Sequence, residues 1–414
     1  VKNMAKISGN ISNDARLIIV NESDWTVESN TTKTGGAFEV TGLAPGKKTV
    51  ISRATSGECE GFGNVDAIIL PAFKFQVYYA EPGAFTLPIA DGGAGYNHNF
   101  VVNWGDGTPD SIITSYGDPD ATHSYDSEGT YDITMTGLCE YFAFNNNGDS
   151  SIRVKVRKLL EFTGDIGFKV LNFWGCVNLN AIVSLGIKAG LTSAKNMFTD
   201  CSALTSLPVE LFKDCPNITS FSSGYNTSTF WNCQYLASVP ADLFRYNTAV
   251  TNFSFIFALC GRLNSIPEDL FRYNTAVTNF HYAFYCCYAL TSIPVNLFKY
   301  NTLATTFGNV FQACEGITSI PEDLFKYNIV VNNFESAFAN SNINTNLPGN
   351  LFLYNVLATN FSYAFYGCSI MTGLGQTIID NTALPGHSVP ISTGGCFNRC
   401  TSLTDYATIP SGWK

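Results

Sequence analysis

Five tyrosines recur at a constant step. Tyr246, Tyr273, Tyr300, Tyr327 and Tyr354 stand 27 residues apart, and each is followed by an asparagine: Asn247, Asn274, Asn301, Asn328 and Asn355. A phenol combines an apolar ring with one hydroxyl, and a carboxamide offers both donors and acceptors. An exposed row of these groups is an aromatic, hydrogen-bonding stripe suited to glycan or protein contact. A buried row is a packing ladder. The asparagines are expected inside; for the tyrosines both readings stand.

Catalytic chemistry is harder to assemble. Four histidines occur, at positions 98, 123, 281 and 387, and none sits in a Ser-His-Asp or metal-ligand spacing. The pairs Glu268-Asp269 and Glu322-Asp323 recur in register. As glycosidase carboxylates they would need a cleft and a raised pKa on the acid. As charges at a helix start they need neither, and that reading is preferred. Asp118, Asp120 and Asp126 lack the pattern of a calcium-binding loop. The expectation is a chain that is not an enzyme and needs no cofactor or metal.

Thirteen cysteines suggest a disulfide framework at first. Their placement points elsewhere. Cys176, Cys201, Cys233, Cys260, Cys287, Cys314, Cys368 and Cys400 each lie three residues after a phenylalanine, and Ser341 takes the place once, after Phe338. One column of buried thiols, acting as small hydrophobes, explains this spacing. The paired Cys-x-x-Cys units of a zinc site are missing.

Composition removes several function classes. Lys plus Arg is 23 and Asp plus Glu is 33 in 414 residues, for a net charge of −10. Nucleic-acid binding rests on concentrated positive charge, so no nucleic acid is expected. No apolar stretch approaches the length of a membrane span. No apolar run follows Val1-Lys2-Asn3-Met4, so no signal peptide is expected in this sequence. Charged residues are only 14%, and Asn, Thr, Ser and Tyr carry the polarity instead, as in many extracellular and virion proteins.

The elements that must position the tyrosines follow from the same period. Pro240, Pro267, Pro294, Pro321 and Pro348 keep the 27-residue step, as do Phe244, Phe271, Phe298, Phe325 and Phe352, while Pro208 precedes Pro240 by 32. A sequence unit this short cannot bury its own apolar face, so neighbours must do it. Three sides are expected. Leu290–Pro294 suits a short strand. Pro267–Tyr273 has an early proline and first-turn acids, as a helix start does. Phe280, Phe284 and Cys287 fall at i, i+4 and i+7, one face of a helix. Two stretches run long: 209–239, around Gly224-Tyr225-Asn226-Thr227, and 369–400, with Pro385-Gly386-His387. Insertions in repeats map to loops, often on the binding face. Tyr225 and His387 therefore complete the candidate recognition surface. Cys396–Trp413 reads as a last rung, with Trp413 over the open core.

Two resemblances give this pattern a family setting. Ala283-Phe284, through Cys287 and Leu290, to Pro294 resembles the BspA-type leucine-rich repeat of bacterial surface proteins, over roughly residues 171–410. The chain departs from that family by carrying an additional Leu-Phe-Lys-Tyr-Asn side. Trp104-Gly105-Asp106-Gly107, His123-Ser124-Tyr125 and Gly129-Thr130-Tyr131 resemble the PKD domain. That likeness implies an immunoglobulin-like sandwich serving as a spacer or as a sugar or protein contact. Asp106 would accept local N–H groups, Trp104 and Tyr131 would fill the core, and His123 would be structural. The Gly42–Gly46 turn is similar to those of fibronectin-like and carboxypeptidase-regulatory-like modules. The composite also resembles proteins encoded by phages of gut and aquatic bacteria.

The expected fold class is α+β: N-terminal β-sandwich modules followed by a leucine-rich-repeat solenoid with 27-residue repeats. Its parts are a small β-sandwich-like domain over 5–68, a PKD-like domain over 70–150, and the capped solenoid over 151–414. The resemblances imply a non-enzymatic virion or cell-surface structural or recognition protein: a fibre, decoration or tail-associated protein. A bacterial adhesin and a polysaccharide-acting enzyme are the alternatives. Expected partners are protein or glycan on a cell surface, and other virion proteins through the N-terminal β-domains.

Overall fold

The computed structural model describes residues 72–91, 93–144, 150–183, 186–187, 190–222 and 224–414 with side chains, and the backbone of six strands between Ile7 and Ile69. The Gly42–Gly46 turn lies outside the described residues. Two compact units emerge: Val1–Phe142 with Leu159–Lys169 and Lys188–Gly190, and Ala143–Lys158 with Val170–Ile187 and Leu191–Lys414.

The first unit is built from antiparallel pairs. Strand β1 (Ile7–Ile11) pairs with β4 (Gly36–Val40). Strand β2 (Ala15–Asn21) lies between β3 (Val27–Lys33) and β5 (Lys47–Ala54), and β6 (Ile68–Ile69) borders β5. Further along, β7 (Ala72–Tyr79) buries Phe73, Phe75, Val77 and Tyr79, the period of two that a half-buried strand requires. A second pair, β8 (Gly83–Thr86) with β11 (Thr122–Tyr125), stands beside a larger sheet. In that sheet β12 (Gly129–Cys139) lies between β7 and β9 (His98–Asn103), with β10 (Ser111–Ile113) outside β9. The Phe73 ring lies 4.8–5.5 Å from those of Phe75, Phe142, Phe162 and Phe168.

The Trp104–Gly107 turn is tied down by its own polar groups. Asp106 Oδ1 accepts from Thr108 N at 3.0 Å and from Thr108 Oγ1 at 2.6 Å, and its Oδ2 lies 2.6 Å from His123 Nε2. The imidazole stacks on Trp104 at 4.9 Å, and Tyr125 Oη donates to Trp104 O at 2.9 Å. Gly105 is obligatory, because at φ +80° a Cβ would sit 2.6 Å from Asp132 O. Trp104 is fully buried, whereas Tyr131 is half-buried and stacks on Tyr125 at 4.0 Å.

The expected α+β class, sandwich modules leading into a leucine-rich-repeat solenoid, is corrected here. The described residues form mixed antiparallel and parallel sheets with only two short α-helices, α1 (Ser150–Arg153) and α2 (Gly375–Thr382). Leu290–Pro294, Pro267–Tyr273 and Phe280–Cys287 contain neither strand nor helix. Hydrogen bonding gives the reason. Phe280 O accepts from Ala283 N at 3.0 Å, Tyr282 O from Tyr285 N at 3.2 Å and Phe284 O from Cys287 N at 3.2 Å, the three-residue step of β-turns. The N–H groups of Phe280, Tyr282, Phe284 and Cys286 reach out to the carbonyls of Thr306, Gly308, Val310 and Gln312, at 2.9–3.2 Å. They are therefore unavailable for helical bonding to i−4. The chain reverses at left-handed residues four apart, Tyr282 and Cys286, both at φ 58°. A turn every four residues reproduces the i, i+4, i+7 spacing that a helix would show.

The 27-residue sequence period survives as matching bonds between neighbours. Asn252, Asn279, Thr306, Asn333 and Asn360 form successive parallel bridges. Rings from Phe173 to Phe397, three residues ahead of each column cysteine or serine, follow one another at 5.5–5.9 Å. The column cysteines are buried, and none is in a disulfide. Each thiol from Cys201 onward donates to the phenylalanine carbonyl of the preceding repeat: Cys287 Sγ to Phe257 O at 3.3 Å, Cys314 Sγ to Phe284 O at 3.1 Å. Ser341 Oγ makes the same bond to Phe311 O at 3.0 Å. Burial pushes these thiols up, Cys368 to about 12. The asparagines are inside, as expected. Asn301 Nδ2 donates to Phe271 O at 3.1 Å and to Asn274 O at 2.9 Å, and the pattern recurs at Asn274, Asn328 and Asn355. The Trp413 ring lies 5.9 Å from Phe361 and 6.2 Å from Phe397.

Three outcomes follow. Asn301→Ala removes two buried hydrogen bonds, leaving the Phe271 and Asn274 carbonyls with only the N–H groups of Asn274 and Val277, and is expected to cost about 2 kcal/mol in urea unfolding. Cys314→Ser keeps the donor, as Ser341 does, and is expected to cost less than about 1 kcal/mol. For Asp106, desolvation works against the charge, but hydrogen bonds from Thr108 and His123 outweigh it and hold the pKa below its ordinary 3.8. A depressed carboxylate stabilises the fold above its unfolded pKa, and that stability is lost as pH falls through the folded value. Acid unfolding of the first unit, followed by Trp104 fluorescence, is expected to flatten below pH 3.8 in Asp106→Asn.

Candidate functional site

The tyrosine row is placed by what lies under it. Each tyrosine directly precedes a buried asparagine, and each asparagine is held by the repeat before it. Parallel pairing between neighbours sets a step of roughly 5 Å. Tyr246 and Tyr273 are half-buried, while Tyr300, Tyr327 and Tyr354 are 37%, 42% and 42% exposed. The row is thus partly open to solvent over its length.

Cations interleave with the rings. Arg245 lies 5.9 Å from the Tyr246 centroid and 5.1 Å from that of Tyr273. Arg272 lies 5.8 Å from Tyr273 and 5.3 Å from Tyr300, and Lys299 lies 5.6 Å from Tyr300 and 5.7 Å from Tyr327. Lys213 and Lys326 contact Tyr246 and Tyr354, each at 5.7 Å. Such contacts hold the rings in place without hiding them.

Acids three residues back balance the cations. Glu210 pairs with Lys213 at 2.9 Å, Asp269 with Arg272 at 3.5 Å and Asp323 with Lys326 at 3.1 Å. The hydrogen bonds that Lys213 and Lys326 donate to Glu210 and Asp323 raise the pKa of both lysines. The recurring acids are not helix-start charges, because no helix forms there. Glu268 Oε1 accepts from Asn296 Nδ2 at 2.7 Å and Glu322 Oε1 from Asn350 Nδ2 at 2.8 Å, each tying one repeat to the next. Charge is largely cancelled within the row, so what it presents is ring surface and hydroxyl groups.

The two residues from the long stretches behave differently. Tyr225 is 66% exposed, and its ring stands edge-on to Trp231 at 5.7 Å and to Phe255 at 6.0 Å. His387 is half-buried after α2, and its N–H donates to Leu384 O at 3.1 Å. Among the described residues, no ring or cation contact joins either residue to the tyrosine row.

Sequence reasoning missed the group around Tyr225: Phe255, His281, Tyr282, Tyr285, Asn309 and Glu335. The signal was present. These fall at three positions where successive repeats differ, for example Phe255, Tyr282, Asn309, Ser336 and Tyr363. The phenylalanine columns beside them, Phe253 to Phe361 and Phe257 to Phe365, do not vary.

Among the described residues, no group of three or more His, Cys, Asp or Glu is placed to hold a metal ion, and no helix is long and apolar enough to cross a membrane. No protein-family model matches the sequence. A search of curated proteins also gives no match.

Rings that stay 37% and 42% exposed, as Tyr300 and Tyr327 do, contribute less to folding than fully buried ones. The double variant Tyr300→Ala/Tyr327→Ala is expected to melt within about 3 °C of the native chain by circular dichroism.

Proposed function

We propose that this chain is a non-enzymatic recognition protein, displayed on a virion or cell surface, that holds an extended partner along its tyrosine row. The observation that carries this reading is the in-register run of partly exposed rings, each braced by Arg or Lys. A surface that repeats at every repeat suits a partner that also repeats, such as a glycan chain or an extended segment of protein. Charge cancellation within the row favours hydroxyl and ring contacts over long-range attraction. The PKD-like residues around Trp104 are assigned, in the same reading, to a mount or spacer.

The test is retention of the labelled full chain on immobilised cellulose, on chitin and on intact bacterial cells. Binding to at least one is expected, and Tyr300→Ala/Tyr327→Ala should keep less than about a tenth of it, a loss of about 1.4 kcal/mol or more. Equal retention by the double variant would refute the reading. Periodate and protease treatment of the cells separates a glycan partner from a protein one.

A further inference from the structure

The left-handed residues of the turns mark a second site. Phe255, Tyr282, Asn309, Ser336 and Tyr363 occupy one place in successive repeats, with φ of 56°, 58°, 58°, 51° and 57°. Asparagine adopts this conformation readily, as at Asn309, whereas bulky aromatic residues do not. Strained residues of this kind concentrate at binding and catalytic sites, where the side chain is needed for a contact.

Here the rings converge. Phe255 and Tyr282 stack at 4.6 Å and 11°, and Tyr285 meets Tyr282 edge-on at 5.2 Å. The exposed Tyr225 stands against Phe255 and against Trp231. Polar groups lie among the rings. His281 is 4.4 Å from the Tyr282 centroid, and its Nε2 is 2.9 Å from Asn309 Nδ2. Gly308 makes room for that imidazole, since a Cβ there would come within 3.0 Å of His281 Cδ2. The charge of Glu335 acts on both His281 and Tyr282, and its Oε2 accepts from Asn360 Nδ2 at 3.2 Å. Two polar groups remain unspent. Trp231 is only 8% exposed, yet its indole N–H has no partner, and Asn226 Oδ1 is buried without one. Buried polar groups are normally paired, so each invites a ligand or an ordered water.

We propose that Tyr225, Phe255, His281, Tyr282, Asn309 and Glu335 form a carbohydrate site for a short chain of neutral pyranose units that runs along successive repeats. The rings supply surface for the apolar C–H face of a sugar. Imidazole, carboxamide and carboxylate supply the mixed donors and acceptors that a ring of hydroxyls requires. Glu335 disfavours an acidic sugar. A protein partner fits less well, because polar groups alternate with the rings here instead of framing an apolar centre. The site goes beyond the tyrosine row and does not depend on it.

The experiment is calorimetric titration of the full chain with cellohexaose, maltohexaose and chitohexaose. At least one is expected to bind with a Kd of about 1 mM or tighter, and Tyr225→Ala and Phe255→Asn should each weaken it about tenfold or more. Phe255→Asn is expected to melt at or above the native temperature, because asparagine tolerates this backbone. Tyr116→Ala, at an exposed ring of the first unit outside both surfaces, should bind the sugar as the native chain does. The proposal is overturned if no probe binds up to about 10 mM, or if the Tyr225 and Phe255 variants bind normally. It is equally overturned if Phe255→Asn melts well below the native chain, which makes Phe255 a packing residue. Capture of a protein through the same residues, uncompeted by any of the three sugars, also overturns it.

Discussion

Backbone N–H groups that cannot bond within their own repeat hold the second unit together. In each repeat, alternate residues close a β-turn on themselves, and the residues between them reach across to the next carbonyl. Those bonds are satisfied only when neighbouring repeats stay in register. A one-residue slip would leave a whole set of buried donors empty. The 27-residue period is the sequence record of that constraint. Where the period lengthens, the extra residues leave the ladder and return. Phe230 follows Phe198 after 32 residues, yet the two rings still stack at 5.7 Å and 8°.

Side-chain choice follows from the same ladder. The column beneath the phenylalanines needs a group small enough to fit between repeats and able to donate to a carbonyl. Cysteine meets both needs, and its desolvated thiol stays protonated, so it keeps the hydrogen to donate. Serine meets them once, at Ser341. The buried asparagines do parallel work: each carboxamide nitrogen donates twice to the repeat before it. Their Oδ1 atoms, at Asn247, Asn274, Asn301, Asn328 and Asn355, are buried without a protein partner. Water is the usual answer for such a row.

The turns that feed the ladder need left-handed residues, and the positions they create point two ways. Ala313 and Asn340 hold such positions with little side chain or with one that tolerates the geometry. Phe255, Tyr282 and Tyr363 hold them with aromatic rings. A framework that forces the backbone into a costly conformation leaves the side chain there as the free choice. In this chain that choice is where repeats differ, and where rings, an imidazole and a carboxylate meet.

The sequence by itself determined the period, the membership of each column and the burial of the cysteines and asparagines. Those properties are one-dimensional: residues that occupy equivalent places between neighbours must share size and hydrogen-bonding type, so they recur at the repeat length. The Trp104–Gly107 turn was legible for a similar reason, since its glycines and Asp106 act on residues a few positions away. The conformation of each repeat was not legible. Apolar residues at i, i+4 and i+7 fit a helix as well as consecutive four-residue turns, and only the direction of the N–H groups, toward the next repeat instead of back along the chain, separates them. The exposure of the tyrosines, the contact of Tyr225 with Phe255 and the succession of His281 and Glu335 beyond it were likewise decided by tertiary structure. Those residues lie up to four repeats apart, and only in-register pairing of neighbours lines them up along one strip.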